Sequence, residues 1–294
     1  MTNNLSHPTI AIYGSRRQEQ YLQQIGELLS RLDSDGFTIA IHQHLFSYLK
    51  EHLNSLPTSC VEANDVPANA RAVLSIGGDG TFLRTAGWVG DRQIPILGIN
   101  TGHLGFLSMC DIENPQAIVD DIVENRLVVE SRSVLKLEAP YIPEGFWPYA
   151  LNEVAILKQD TASMITVETM VDNSYLTDYQ ADGLLISTPT GSTGYNMSVG
   201  GPILRPTLDN WVLSPIAPHS LTMRPLVIDS TAVIKACTKS RAKTYRISLD
   251  GRSFSLPCGS IISIHKADFP ILVMRRADDN FATTLRNKLL WGTR

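Results

Sequence analysis

The chain has 294 residues, a formal net charge of -4, 43% apolar residues and 18% charged residues. That composition suits a soluble globular protein of one large or two ordinary domains. Nothing in this mildly acidic balance suggests an electrostatic grip on nucleic acid or on an anionic membrane surface. No apolar run approaches the ~20 residues of a membrane span, and the start, MTNNLSHP, lacks the basic and apolar regions of a signal peptide. Four scattered cysteines without CxxC spacing predict free thiols in a reduced, cytoplasmic protein. The histidines show no HxxxH or HExxH pairing, so no metal-ligand set is read.

TIAIYG (9–14) reads as a buried strand, and Tyr21, Ile25, Leu28, Leu29 and Leu32 follow at helical spacing. FTIAI (37–41), AVLSI (72–76) and IPILGI (94–99) read as further strands, with a helix from about Thr81 to Val89 between the last two. This alternation predicts a parallel sheet covered by helices. Asn114 caps a further helix, Pro115 suits its first turn, and Ile118, Val119, Ile122 and Val123 form its stripe. The chain then turns β-rich. VLKLEA, ALNEVAIL, MITVETMV, GLLIST, WVLSPI, PLVIDSTAVIKA, YRISLDG and SIISIHK predict an antiparallel or mixed all-β domain. Phe281, Leu285 and Leu289, at i, i+4 and i+8, predict a closing helix that packs back on the first domain. The expected fold is an α/β N-terminal domain with a parallel sheet, residues 1–110 plus about 273–294, and a β-rich C-terminal domain, residues 111–272.

GGDG (77–80) follows the third of these strands and opens a helix. Strand, glycine-rich turn and helix make an anion site, because backbone N–H groups at the helix start point outward and glycine admits close approach. A carboxylate there would repel a phosphate on the same amides. Asp79 therefore fits a contact to a sugar hydroxyl, or acceptance of its proton, with phosphates nearby; as a bland alternative it is only a turn former and helix cap. GGDG is neither GxGxxG nor GxxxxGK[ST], so neither a Rossmann nor a Walker explanation applies. A second cluster, ADGLLISTPTGSTGYNMSVGGP (181–202), runs a strand into a turn crowded with small donors and acceptors and one aromatic, Tyr195. Such a loop suits an adenine edge and face; the alternative is an ordinary Ser/Thr/Gly-rich turn.

GGDGTFL (77–83), LNEVAIL (151–157), DGLLISTPTGSTGYN (182–196), PIAPHSLTMRP (215–225), LDG (249–251) and LRNKLLWG (285–292) stand in the order and approximate spacing of the NAD kinases, which the chain resembles over essentially its whole length. The resemblance implies the two-domain fold shared with diacylglycerol kinases, and phosphorylation of the 2′-hydroxyl of the adenosine ribose of NAD. The donor it implies is ATP or inorganic polyphosphate, with Mg²⁺ or another divalent cation riding on the nucleotide phosphates rather than in a protein cage. It makes Asp79 the general base, with Gly80 beside it and Arg84 placed for a phosphate or for solvent. Asn152 and Glu153 match the family's Asn-Glu pair, and Asp182 matches the aspartate facing the nicotinamide end. Thr193, Gly194, Tyr195, Asn196, Met197 and Ser198 fall on the adenine and ribose segment. His219 matches a histidine near the substrate. Asp250 matches a late Asp-Gly that also reads as a hairpin turn.

Four positions depart from the commoner family pattern. Gly194 stands where many members have alanine, and Ser163 where some have histidine. Gln180 replaces a common arginine or lysine, which opens the choice between NAD and NADH. Arg252 replaces a common glutamine and meets either a phosphate or solvent. Partners implied are NAD and ATP, in a homodimer or homotetramer, with no nucleic acid and no membrane. Two other functions share parts of the pattern: a lipid kinase of the diacylglycerol or sphingosine type, and a catalytically dead dinucleotide sensor.

Overall fold

A run of β-branched and apolar residues, TIAI, opens strand β1 (Thr9–Gly14) and is buried on both faces, as a central parallel strand requires. The computed structural model of the protein describes residues 8–16, 18–102, 105–108, 110–159 and 164–290. Two units emerge, one of residues 1–131 with 271–294 and one of residues 132–270.

In the first unit β1 is followed by helix α1 (Leu22–Ser34), whose Ile25, Leu28, Leu29 and Leu32 are fully buried. Strand β2 (Thr38–His42), helix α2 (Gln43–His52), strand β3 (Cys60–Ala63) and strand β4 (Ala70–Ile76) come next. Helix α3 (Asp79–Val89), strand β5 (Ile96–Asn100), the two-residue β6 (Cys110–Asp111), helix α4 (Pro115–Val123) and strand β7 (Leu127–Arg132) complete the run. The sheet order is β3-β2-β1-β4-β5, then the late strand Ile271–Arg276, then β7, with β6 also on β5. The pairs among β1 to β6, and that of Ile271–Arg276 with β5, are parallel. The order reverses between β1 and β4. That switch point is where open α/β sheets leave a crevice beyond the carboxyl ends of their strands.

The apolar core of this unit combines Ile10, Ile12, Ile39, Ile41, Leu74 and Ile99 of the sheet with side chains of α1, α2 and α4. The unit therefore extends to residue 131, beyond the expected boundary at 110. The physical reason is α4: its Ile118, Val119 and Ile122 belong to this core, and its buried Asp121 accepts a hydrogen bond from Arg276 Nε at 2.6 Å. The closing helix Phe281–Leu289 belongs to this unit too, capped by Asn280, whose Oδ1 accepts from Ala282 N at 2.9 Å.

The second unit is two antiparallel six-stranded sheets. Its strands are β8 (Leu135–Glu138), β9 (Tyr149–Ala150), β10 (Glu153–Leu157), β11 (Ile165–Val171), β12 (Ser174–Ala181) and β13 (Gly183–Ser187). After the one-turn helix α5 (Tyr195–Ser198) come β14 (Asn210–Ile216), β15 (Leu226–Asp229), β16 (Ile234–Lys239), β17 (Thr244–Leu249), β18 (Arg252–Pro257) and β19 (Ile261–Lys266). The sheet orders are β15-β14-β13-β10-β17-β18 and β12-β11-β16-β19-β8-β9. Val154, Ile156, Leu184, Ile186, Trp211 and Ile247 of the first sheet share one buried cluster with Leu135, Ile165, Val167, Ile234 and Ile264 of the second. That is the interdigitated core of a β-sandwich. Among the described residues no helix is long and apolar enough to cross a membrane.

Candidate active site

The GGDG corner stands at the carboxyl end of β4, beside the switch point. Gly77 has φ +148°, and a Cβ added there would meet Thr81 Oγ1 at 2.4 Å, so only glycine fits. Gly78 precedes the helix and supplies no side-chain cap, and Asp79 is the first residue of α3. A carboxylate in the first turn is favoured by the helix dipole. Asp79 does not cap its own helix. Its Oδ2 accepts from Phe106 N at 2.9 Å, and its Oδ1 from Leu107 N at 3.0 Å and Ser108 N at 3.2 Å. Lys288 of the closing helix completes the group, with Nζ 3.5 Å from Asp79 Oδ2 and 4.4 Å from the centre of the Phe106 ring. Gly80 is exposed at the helix start. Arg84 is exposed one turn on and donates from Nη2 to Thr81 Oγ1 at 3.1 Å. Sequence reasoning missed Lys288 and the 105–108 backbone; Lys288 lay inside the quoted LRNKLLWG stretch.

In the second unit Asp250 and Gly251 form the two-residue turn between β17 and β18, with φ of +47° and +81°, so the hairpin reading holds. The carboxylate does more than turn the chain. It accepts from Leu151 N at 2.7 Å, Asn152 N at 2.9 Å and Glu153 N at 3.1 Å. Burial raises the Asp250 pKa, opposed by these three amides and by the Arg252 charge. Asp250 thus sets the backbone that carries the Asn-Glu pair. Asn152 Oδ1 and Glu153 Oε2 are buried without a hydrogen-bond partner. Burial and the neighbouring Asp250 carboxylate push the Glu153 pKa up to about 8, while a hydrogen bond from the Tyr195 backbone pulls the other way.

The TPTGSTGY loop lies against this pair. Thr188 N donates to Asn152 O at 2.9 Å, and Thr188 Oγ1 to Leu151 O at 2.6 Å. A methyl added at Gly194 would stand 3.2 Å from Asn152 Nδ2 and 3.3 Å from Glu153 Oε2, so glycine leaves extra room beside both. Tyr195 is 40% exposed, and its backbone N–H donates to the Glu153 carboxylate. Thr193 Oγ1 donates back to Thr190 O at 3.4 Å, Met197 is half-buried and Ser198 is exposed. Asn196 points inward instead. It is fully buried, donates to Ser192 O and Pro202 O, and accepts from Ser214 Oγ at 2.7 Å. It holds the loop's shape.

A further group sits at the ends of β12 and β13. Asp182 Oδ1 accepts from Lys158 Nζ at 2.6 Å, a cation that sequence reasoning missed. The Gln180 carbonyl accepts from His219 N at 2.9 Å, so two of the sequence-derived candidates are neighbours through backbone; both are exposed. Arg252 is half-buried rather than facing open solvent. Its guanidinium lies 5.3 Å and 5.2 Å from the Phe146 and Trp147 rings and donates to Trp147 O and Tyr149 O. Ser163 lies outside the described residues. Among the described residues no group of three or more His, Cys, Asp or Glu side chains could hold a metal ion. Among the described residues the Asp79 carboxylate at the corner accepts from three backbone amides.

The first unit's glycine-rich corner at its switch point, and in the second unit the small-residue loop against a buried Asn-Glu pair, each have the make-up of a nucleotide site. Comparison with known proteins agrees. The sequence models of the ATP-NAD kinase N-terminal and C-terminal domains match residues 19–127 and 151–275. The chain is 42% identical over 284 residues to the NAD kinase of Porphyromonas gingivalis strain W83, covering 96% of this chain and 98% of that one. It is 41% identical to an NAD kinase of Bacteroides fragilis, with 96% and 97% covered. An Archaeoglobus fulgidus NAD kinase solved in complex with ATP superposes with a TM-score of 0.73 at 27% identity, covering 95% of this chain and 98% of that chain. A yeast NADH kinase complexed with NADH shares the fold, with a TM-score of 0.85 at 21% identity and 98% and 89% covered. The chain belongs to the NAD kinase family and is a kinase, a transferase.

Proposed function

We propose that this kinase transfers the γ-phosphoryl group of ATP to the 2′-hydroxyl of the adenosine ribose of NAD, with Asp79 accepting the hydroxyl proton, to give NADP. The observation that carries the reading is the position of Asp79. It is a carboxylate at a helix start beyond the carboxyl end of β4, where ligands of open α/β sheets bind. A ribose hydroxyl is a weak nucleophile at neutral pH, and a positioned base contributes on the order of 10²–10⁴-fold to rate. Positioning of donor and acceptor accounts for much of the remainder. The unpartnered oxygens of the Asn152–Glu153 pair offer acceptors to the amino group of an adenine or the hydroxyls of a ribose, and the Tyr195 ring offers an aromatic face. Asp182, Gln180 and His219 are assigned to the nicotinamide end.

The described residues supply no cage for a divalent cation. Mg²⁺ is assigned to the phosphates of the donor, where it would neutralise their charge. Polyphosphate is the alternative donor. We further assign the protein to the cytoplasm as a homodimer or homotetramer; a single monomeric species in sedimentation would refute the oligomer.

The deciding experiment is Asp79→Asn. The variant should bind NAD with wild-type affinity in calorimetry and lose turnover by on the order of 10²-fold or more. Wild-type turnover would remove Asp79 from the role of base. The same assay with NADH in place of NAD, in wild type and in Gln180→Arg, reads the contribution of the neutral amide to the choice of acceptor. Equal NAD-to-NADH ratios in both would remove Gln180 from that choice.

A further inference from the structure

Asp79 is held by more partners than a free base should have. A carboxylate offers about four acceptor positions. Here Phe106 N, Leu107 N, Ser108 N and the Lys288 ammonium take them, at 2.9, 3.0, 3.2 and 3.5 Å. A hydroxyl that is to give Asp79 its proton needs one of these places. The three amides lie on one stretch of backbone, and Gly105 at its start approaches Asp79 so closely that an added Cβ would stand 2.0 Å from Oδ1. They cannot leave one at a time. Lys288 is different. Its contact is the longest of the four, its side chain keeps 27% exposure, and its stem is a flexible four-carbon chain.

We propose that Lys288 is a catalytic residue that exchanges Asp79 for the transferred phosphoryl group. The inference rests on the reading of Asp79 as proton acceptor. In the free enzyme the ammonium occupies the open side of Oδ2. The acceptor hydroxyl displaces it, and the ammonium, still lodged over the face of Phe106, turns to the oxygens of the arriving γ-phosphoryl group. The new O–P bond forms from the ribose oxygen, the bond from the γ-phosphorus to the β–γ bridging oxygen breaks, and ADP leaves with that electron pair. The hydroxyl proton goes to Asp79, and Lys288 stays charged throughout. Its charge serves two ends: it offsets the repulsion between Asp79 and an incoming phosphate, and it faces the equatorial oxygens on which negative charge is spread during transfer.

The test compares Lys288→Met, Lys288→Arg and Asp79→Asn in the full chain, by steady-state kinetics in ATP and NAD, NAD binding by calorimetry, and thermal melting. Lys288→Met should lower kcat by on the order of 10²-fold and raise the KM for ATP, with NAD affinity within about twofold of wild type. Lys288→Arg keeps the charge and should recover about tenfold of that loss. A Lys288→Met enzyme with unchanged kcat would overturn the proposal. So would a Lys288→Arg enzyme no faster than a stable Lys288→Met, because charge would then not be the cause. If Lys288→Met melts early, the Lys288→Arg comparison decides alone: an arginine variant that is folded yet impaired in NAD binding rather than in kcat overturns the assignment. Asp79→Asn separates the two readings. Full turnover in that variant sinks the base whatever Lys288 does, whereas an inactive Asp79→Asn beside an unimpaired Lys288→Met removes Lys288 only.

Discussion

Asp79 and Asp250 each gather three successive backbone amides, one from 106–108 and the other from 151–153. Both were visible in sequence as aspartates beside glycines, but their partners were not, because those amides lie 27–29 and 97–99 residues away along the chain. The elevated Glu153 pKa has a consequence for stability. Its ordinary value of 4.5 rises to about 8 in the fold, so between these pH values the native state binds more protons than the unfolded one. Stability contributed at this site is full below about pH 4.5 and is lost as pH rises toward about 8. Asp250, also raised, acts in the same direction. Glu153→Gln should therefore flatten the fall in melting temperature between pH 5 and pH 8 in the ligand-free protein, relative to wild type; a slope identical to wild type would show that Glu153 ionises normally. Tyr195→Ala should weaken NAD binding by ~10- to 100-fold, the usual worth of an aromatic face under a base. Unchanged affinity would remove the loop from the adenine site.

At the scale of elements, periodicity located β1, α1, α3, α4 and most sandwich strands, because each buries one face or both and writes that burial into its apolar spacing. Asn114 was read as a cap, and its Oδ1 accepts from Ala117 N at 3.1 Å. Asn114→Ala should cost about 1 kcal/mol in denaturant unfolding; no change would mean that the cap is redundant. Among the longer elements, helix α2, strands β3, β7, β12 and β18 and the late strand Ile271–Arg276 escaped the reading. Strands β3, β12 and β18 lack long buried runs: β18 alternates through the polar sequence RSFSLP, and in β3 no residue is fully buried. Helix α2, QHLFSYLKEH, buries only Leu45, Tyr48 and Leu49. Gly77→Ala should cost more than an ordinary exposed change, because its φ of +148° disfavours any side chain and Thr81 fills the space. A melting temperature equal to wild type would mean that the corner relaxes.

For the whole molecule, the first unit is discontinuous in sequence. The strand Ile271–Arg276 lies inside its sheet between β5 and β7, and Arg276 pairs with Asp121. A chain ending at residue 270 should lose the cooperative unfolding of the first unit while the sandwich, with its own core, keeps a β-type circular dichroism signal. Retention of both transitions would show that the late strand is dispensable. By itself the sequence determined the class of each half, the corner at Asp79, the Asn152–Glu153 pair and the family, since these are local patterns of spacing and residue type. Tertiary structure alone decided the rest. It made α4 part of the first unit and turned Asn196 and Arg252 into supports. It also set Asp250 under the Asn-Glu backbone and brought Lys288, 209 residues away, to Asp79. Contacts closed across such separations depend on how sheets and helices pack, and no short stretch of sequence carries that geometry.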